Sequence, residues 1–241
     1  MFLPKVGLAY ALSEQTTVAL TAREGYNPGG GSLDWNTSEF YEYDKEEVKT
    51  YELSTRSLLL DNRLSLNSNL FFNDYTDYQA LQNRRFTNIK GGESYGFEVD
   101  ATAFLNQGLE VFGSLGLLKT KVTQANAENP GIKNNEFSMA PELTAGFGFK
   151  KSLASGFFYG ADISYVGEYY SDLENSKGLE AGDYTLTNLN LGYETAEYTL
   201  RLYARNLFDE ETIYRTNANW GGKSYEVGAP RTLGIVADYR F

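Results

Sequence analysis

Apolar and polar side chains alternate one by one along the last residues of this chain. Five apolar residues, Leu233, Ile235, Ala237, Tyr239 and Phe241, fall on one face of an extended backbone, and the residues between them are mostly polar or small. A period of two predicts a β-strand whose two faces meet different surroundings. This pattern restricts the fold class, because other segments must share a sheet with such a strand.

The same alternation recurs along the whole sequence. Between Tyr95 and Ala103 the apolar residues occupy every second position, and the pattern repeats between Phe157 and Tyr169. Counting such segments predicts about eleven strands. The predicted strands are Leu3–Ser13, Thr16–Tyr26, Tyr41–Leu60, Arg63–Tyr78, Glu93–Leu105, Gly108–Thr123, Ser138–Lys151, Gly156–Tyr170, Tyr184–Tyr193, Tyr198–Phe208 and Tyr225–Phe241.

The connections between the predicted strands alternate between short and long. Short connections lie near Glu14, Asp61, Asn106, Ala154 and Thr195. The long ones cover Asn27–Phe40, Ala80–Gly92, Gln124–Phe137, Ser171–Asp183 and Asp209–Ser224. Outer-membrane barrels have tight periplasmic turns and long external loops. The sequence therefore predicts an all-β fold, a transmembrane antiparallel β-barrel.

Composition excludes several classes of function. No apolar run approaches the roughly 18 residues of a membrane-spanning helix, and a net charge of −11 argues against binding to nucleic acid. The chain has no histidine and no cysteine. Histidine-dependent catalysis and thiolate or imidazole metal ligation are therefore excluded. We expect no enzymatic activity, no catalytic residues, no metal ligands and no cofactor.

The number of strands has a consequence for closure. With eleven strands the first and last run in the same direction, whereas bacterial single-chain barrels have an even number of strands. Two unpaired edges in hydrocarbon would cost on the order of tens of kcal/mol. We therefore expect a half-barrel whose partner strands lie upstream. The beginning of the sequence has no basic region followed by an apolar core, so no signal peptide is predicted.

Four stretches of this sequence form distinctive motifs. They are Phe2–Tyr10 (FLPKVGLAY), Arg23–Gly30 (REGYNPGG), Tyr51–Leu53 with Leu70–Gln79 (YEL and LFFNDYTDYQ), and the closing segments Asn206–Asp209 (NLFD), Gly228–Thr232 (GAPRT) and Tyr239–Phe241 (YRF). In order and spacing they resemble the C-terminal part of TonB-dependent outer-membrane receptors, and the resemblance spans the chain. It implies that residues 1–241 form the C-terminal half of a twenty-two-stranded barrel, without the N-terminal plug domain or the TonB box.

The resemblance also implies a function and partners. It points to an outer-membrane receptor of a Gram-negative bacterium for TonB-driven uptake of a bulky nutrient, most often a ferric siderophore complex. The implied partners are outer-membrane lipid, a siderophore-like ligand, TonB acting through the missing plug, and the barrel assembly machinery acting through Phe241. Three alternatives stay open: a passive porin-like channel or adhesin barrel without energy coupling, a non-functional remnant of a truncated receptor gene, and a barrel hydrolase, against which the lack of histidine weighs heavily.

Aromatic and arginine side chains within the long loops are the candidate ligand contacts. Arginine pairs with anionic groups and aromatic rings stack on planar ones. The candidates are Trp35, Arg84, Arg85 and Trp220. Aromatic residues near strand ends more often form the interfacial girdle of a barrel, which is the alternative interpretation.

Overall fold

The computed structural model describes residues 2–34, 37–82, 85–127, 129–219 and 221–241. The strands in these ranges are β1 (Lys5–Ala11), β2 (Thr16–Asn27), β3 (Gly30–Leu33), β4 (Phe40–Tyr43), β5 (Glu46–Leu59), β6 (Leu64–Gln82), β7 (Arg85–Leu105), β8 (Leu109–Gln124), β9 (Leu143–Ser152), β10 (Phe157–Val166), β11 (Tyr169–Tyr170), β12 (Glu180–Ala181), β13 (Tyr184–Glu194), β14 (Tyr198–Arg205), β15 (Ile213–Asn219), β16 (Gly222–Val227) and β17 (Thr232–Tyr239). Short 3-10 turns cover Asn106–Gly108 and Pro130–Ile132. None of the helical segments described here is long and apolar enough to cross a membrane.

Eleven strands form one antiparallel sheet in the order β1-β2-β5-β6-β7-β8-β9-β10-β13-β14-β17. This confirms the prediction of an all-β fold with about eleven strands. The other strands form the separate ladders β3–β4, β11–β12 and β15–β16. The strands of the sheet end at two rims. We call the rim that carries these ladders the loop end, and the opposite rim, where the short connections at Glu14, Asp61, Asn106, Ala154 and Thr195 lie, the turn end. β1 and β17 are the edge strands of the sheet, and each pairs on one side.

One face of the sheet, called the outer face, is apolar across all eleven strands. The register aligns one apolar row over the first strands: Leu8, Leu20, Leu53, Leu70, Phe97, Leu117 and Leu143. A second row crosses the remaining strands: Phe149, Ala161, Leu189, Ala204 and Leu233. Most of these side chains are exposed rather than packed in a core. The outer face is therefore a continuous apolar surface.

A row of charged residues limits the outer face toward the loop end. Glu24, Lys49, Asp74, Glu93 and Lys121 are successive cross-strand neighbours in the register. Like charges directly opposite one another are destabilising in a sheet, and most of the neighbours in this row have opposite signs. The charged row marks the height at which the apolar surface ends.

The inner face of the sheet is polar, and its side chains pair across strands. Asn67 Nδ2 donates to Asp100 Oδ2 at 2.9 Å, and Asn188 Nδ2 donates to Asp162 Oδ2 at 2.7 Å. Such pairs satisfy polar groups along a wall that faces a polar interior. The two faces of the sheet thus meet different surroundings, as the alternation in the sequence predicts.

Aromatic side chains on the inner face lie over glycines of the neighbouring strand. The register places each ring directly opposite its glycine in four pairs: Phe71 with Gly96, Phe112 with Gly148, Phe158 with Gly192, and Tyr203 with Gly234. A Cβ atom added at any of these glycines would meet ring carbons of its partner. Each glycine thus leaves the space that the ring of the neighbouring strand occupies.

Several predicted boundaries differ from the structure, most clearly at one connection and one strand. The predicted long connection Ala80–Gly92 is wrong, because β6 and β7 continue as a ladder to the pair Gln82 and Arg85. The predicted last strand from Tyr225 is also wrong. It divides between β16 and β17, with Pro230 in the connection. Proline has no backbone N–H and therefore interrupts a ladder.

Candidate ligand-binding site at the loop end

A buried apolar cluster lies at the loop end of the molecule. Its members come from β6, β7, β8 and two of the long connections: Ala80, Ile89, Val122, Ile132, Phe137 and Leu173. Val122 and Leu173 have 0% of their surface exposed. The ring of Tyr78 stacks on that of Phe137 with 4.2 Å between centroids. The β6–β7 hairpin and the connections 125–142 and 167–183 therefore share one core.

Side-chain amides connect the first long connection, residues 28–45, to the β6–β7 hairpin. Gln79 Nε2 donates to the carbonyl oxygens of Pro28 at 3.0 Å and Asp44 at 2.9 Å. Asn88 Nδ2 donates to the carbonyl oxygens of Asp44 at 2.8 Å and Asp77 at 2.9 Å. These four hydrogen bonds attach both ends of the connection to the β6–β7 hairpin.

The connections 125–142 and 167–183 are joined by a reciprocal pair of hydrogen bonds. The backbone N–H of Glu136 donates to Asn175 Oδ1 at 2.7 Å, and Asn175 Nδ2 donates to the Glu136 carbonyl at 3.1 Å. Asn135 Nδ2 also donates to the Leu173 carbonyl at 3.0 Å. These bonds hold Leu173 in the buried cluster.

The last long connection, residues 206–231, is tied to connection 167–183. The hydroxyl of Tyr169 donates to the Tyr214 carbonyl at 2.8 Å. The backbone N–H of Thr216 donates to Ser171 Oγ at 2.9 Å, and its hydroxyl donates to the Glu180 carbonyl at 2.7 Å. The loop end is therefore a connected layer rather than a set of independent loops.

Two polar clefts lie within this layer. The Arg85 cleft has a volume of about 430 Å³ and is lined by residues that include Asp34, Asp44, Arg85 and Asn88. The guanidinium of Arg85 lies 3.6 Å from Asp34 Oδ2 and 4.3 Å from the ring centroid of Tyr41. An arginine held against a ring and a carboxylate is pre-oriented, so little conformational entropy is lost when it binds a further acceptor.

The Arg215 cleft is larger, with a volume of about 700 Å³. It lies between the end of β6, connection 167–183 and the β15–β16 ladder, and its polar lining includes Gln82, Asp172, Glu174, Arg215 and Glu226. Volumes between about 300 and 1,000 Å³ are typical of ligand-binding clefts. Both clefts therefore have the size and the polar groups of a ligand-binding site.

Burial raises the pKa of three groups at the loop end. Burial, with the nearby charge of Glu46, raises the pKa of Tyr78 to about 12. Burial also raises the pKa of Glu46, although the N–H of Gln79 donates to this carboxylate and lowers the pKa in part. The pKa of Glu136 is raised by burial and by the charge of Glu142. Burial therefore favours the uncharged form of all three side chains.

Of the predicted ligand contacts, the structure describes Arg85 and places it in the Arg85 cleft. Trp35, Arg84 and Trp220 lie outside the described residues. A role for any of the four in ligand binding stays a prediction. Sequence reasoning did not single out the polar residues of β15 and β16, among them Arg215 and Glu226. The residues Arg215–Asn219 (RTNAN) are almost all polar and lie inside a segment predicted to be a loop, so the sequence offers no alternation that would indicate a strand there.

The architecture defines the class of protein. An antiparallel sheet with an apolar outer face, a polar inner face and long connections at one edge is the wall of a transmembrane β-barrel. The family model described as "TonB dependent receptor-like, beta-barrel" matches residues 1–207. The chain therefore belongs to the TonB-dependent receptors, which are outer-membrane proteins of Gram-negative bacteria.

This chain is also similar to individual receptors in sequence and in structure. The catecholate siderophore receptor Fiu of Escherichia coli (strain K12) is 25% identical over 252 residues, covering 98% of this chain and 32% of that protein. The ferric yersiniabactin uptake receptor FyuA from Yersinia pestis superposes with a TM-score of 0.84 at 21% identity, over 98% of this chain and 36% of FyuA. The closed form of Fiu superposes with a TM-score of 0.73 at 20% identity, over 97% of this chain and 34% of Fiu. This chain thus spans about a third of the length of these transport receptors.

Proposed function

We propose that this chain forms one arc of the wall, together with external loops, of an outer-membrane receptor for TonB-driven uptake of a ferric siderophore complex. The connected loop end with its two polar clefts carries the proposal, because it offers preformed contact surface on one side of the sheet. Similarity to receptors named for catecholate siderophores and ferric yersiniabactin supports it. The loops would capture the complex, and the barrel would enclose its path.

The outer face fits contact with lipid. The part of β6 from Leu64 to Phe72, whose outward side chains are apolar except for Ser68, matches the roughly 9–11 residues that a tilted membrane-spanning strand needs. The hydroxyls of Thr55 and Ser68, which lie on this face, hydrogen-bond to each other at 2.7 Å. Their pairing avoids the cost of unsatisfied polar groups in hydrocarbon. We therefore propose an outer-membrane location.

Closure of the barrel needs partners for β1 and β17. Both strands run in the same direction in the sheet, so they would form a parallel seam if they paired with each other. An odd number of additional strands would let both edges pair antiparallel. We propose that further strands of the same receptor supply this pairing. Coupling to TonB through a plug domain and recognition of Phe241 by the barrel assembly machinery stay predictions.

Iron uptake by intact cells tests the proposed function. Cells that produce the full polypeptide containing this chain are supplied with radioactive ferric siderophores, with and without TonB. We expect accumulation that requires both the polypeptide and TonB. Accumulation that persists without TonB would indicate a passive channel. No accumulation from any complex, with the protein folded in the outer membrane, would contradict uptake of siderophores.

A further inference from the structure

Arg215, in β15, is a half-buried cationic side chain of the loop end. Its Nε atom is buried and forms no hydrogen bond with any residue that the structure describes. The register of β15 with β16 shifts between Ile213 and Arg215, and a shift of this kind re-aims the side chain. Because a buried charged donor is costly when unpaired, this arrangement favours an acceptor supplied by a bound molecule.

The carboxylates of the Arg215 cleft, by contrast, have donors. Glu174 Oε1 accepts a hydrogen bond from Gln82 Nε2 at 2.5 Å, and Asp172 Oδ1 accepts one from the backbone N–H of Ser176 at 2.9 Å. Glu226 stands opposite the arginine in the β15–β16 register. Within the described ranges none of these three carboxylates forms an ion pair with the arginine. The cleft thus holds the guanidinium apart from its neighbouring acids.

We propose that the Arg215 cleft binds the receptor's ligand and selects ferric complexes of low net charge. This inference rests on the proposed function. A ligand oxygen, from a carboxylate, a carbonyl or a hydroxamate, accepts from the Arg215 guanidinium. N–H or O–H groups of the same ligand donate to the free lone pairs of the surrounding carboxylates. Guanidinium groups suit this role because they present several donors in a fixed plane.

The charge of the cleft determines the class of complex. One arginine faces three carboxylates, Asp172, Glu174 and Glu226, in a single polar cleft. Like charges brought together at a binding surface are strongly unfavourable, and such repulsion is a common source of specificity. A polyanionic complex, such as a ferric tris-catecholate, would gain one favourable contact and face several unfavourable ones. A neutral or singly charged complex avoids this repulsion.

Binding of ferric complexes to the purified full polypeptide tests the proposal. Quenching of tryptophan fluorescence is measured with two low-charge tris-hydroxamates, ferrioxamine B and ferrichrome, and with the polyanionic ferric enterobactin. We expect a tris-hydroxamate to bind most tightly. Arg215→Gln should weaken its binding by about tenfold or more, the loss expected for a charge-assisted hydrogen bond. Arg215→Lys should retain part of the affinity.

Two further variants separate a specific role from a general change in charge. Glu226→Gln should narrow the preference for the tris-hydroxamate over ferric enterobactin, because it removes one repulsive carboxylate. Arg63→Gln removes an arginine in a connection at the turn end and should leave binding unchanged. Circular dichroism and resistance to heat in detergent confirm that each variant is folded.

Each outcome decides between the two proposals. If the preferred complex binds the Arg215→Gln variant as it binds the unchanged protein, the role of the cleft is overturned while the receptor function stands. If ferric enterobactin binds most tightly, the selection for low charge is overturned. If no complex binds the folded, unchanged protein, the proposed function fails and this inference fails with it.

Discussion

The sheet and the loop end of this molecule bury their apolar residues in opposite ways. In the sheet, Leu70 and Leu233 point outward and are more than half exposed, at 53% and 71%. At the loop end, Val122 and Leu173 are fully buried among residues from different connections. The sheet therefore needs an apolar surrounding to be stable, whereas the loop end has a core of the kind found in water-soluble proteins. The sheet is thus suited to contact with lipid, and the loop end is suited to contact with water.

Truncation of the loop-end core gives the largest expected effect. Leu173→Ala should lower the stability of the loop end by about 2–5 kcal/mol, because it removes a fully buried side chain and leaves a cavity. Hydrogen exchange should become faster in connections 125–142 and 167–183 and stay unchanged in β13 and β14. Leu153→Ala, at the exposed turn end, is the matched control. Equal acceleration in the sheet would show that the two regions unfold as one unit.

A charge on the outer face tests the opposite region. Leu70→Arg should destabilise the protein in lipid by about 2–4 kcal/mol, because the substitution places a cation in the apolar row. Asn69→Arg places the same side chain at the adjacent residue, which faces the inner side of the sheet. A much smaller loss of stability is therefore expected. Urea titrations of both variants in vesicles measure the difference. Equal losses would contradict the assignment of the two faces.

Filling a glycine on the inner face addresses the packing of the wall. Gly234→Ala should cost about 1–3 kcal/mol, because the new methyl group meets the Tyr203 ring. Combining it with Tyr203→Ala should cost less than the sum of the two single changes, because the clash is gone. Gly7→Ala, whose Cβ would lie 3.5 Å from Thr21 Oγ1, is the control. Additive losses would show that the ring does not depend on the glycine.

The smallest expected effect concerns pH at the loop end. Burial raises the pKa of Glu136 above its ordinary value of 4.5. A group with a raised pKa contributes stability that is complete below its pKa in the unfolded chain and is lost as pH rises through its pKa in the folded protein. Glu136→Gln should therefore slow the opening of connection 125–142 at pH 7 and remove its dependence on acid pH.

Hydrogen exchange, corrected for the intrinsic effect of pH, measures this opening. Asp61→Asn, in a connection at the turn end, controls for the loss of one carboxylate. Faster opening of connection 125–142 in Glu136→Gln at neutral pH would show that the carboxylate stabilises the loop when charged, against the expected sign.

The sheet could be predicted from sequence because its signal is local. Side chains in a strand point alternately to opposite faces, so residues such as Tyr95 and Phe97 report the face without knowledge of their neighbours. The eleven strands were predictable on this basis, and so were the long connections other than Ala80–Gly92, where the β6–β7 ladder continues instead. The predicted strand boundaries were wrong where the local signal was ambiguous. Two examples are Pro230 and the glycine pair Gly91 and Gly92, where the ladder shifts register.

The loop end could not be predicted because its order depends on contacts distant in sequence. Gln79 reaches Pro28, and Asn175 reaches Glu136. Gln79 and Pro28 both lie in stretches that carry the family resemblance, yet neither stretch indicates that the two residues meet. Residue type alone placed both Arg85 and Arg215 among the arginines of the long loops, but it gave no reason to choose Arg215 as a candidate contact. What distinguishes Arg215 is the burial of its Nε atom without a partner, and that property exists only in the folded chain.

A cysteine scan of β6 tests the central claim most directly, because the chain has no native cysteine. Single cysteines from Leu64 to Asp77 in the full polypeptide carry a fluorophore, which is exposed to lipid-soluble and water-soluble quenchers in vesicles. The account predicts that even positions up to Phe72 respond to the lipid-soluble quencher, odd positions to the water-soluble one, and that lipid access ends at Asp74. Quenching without alternation, or lipid access on the odd positions, would contradict it.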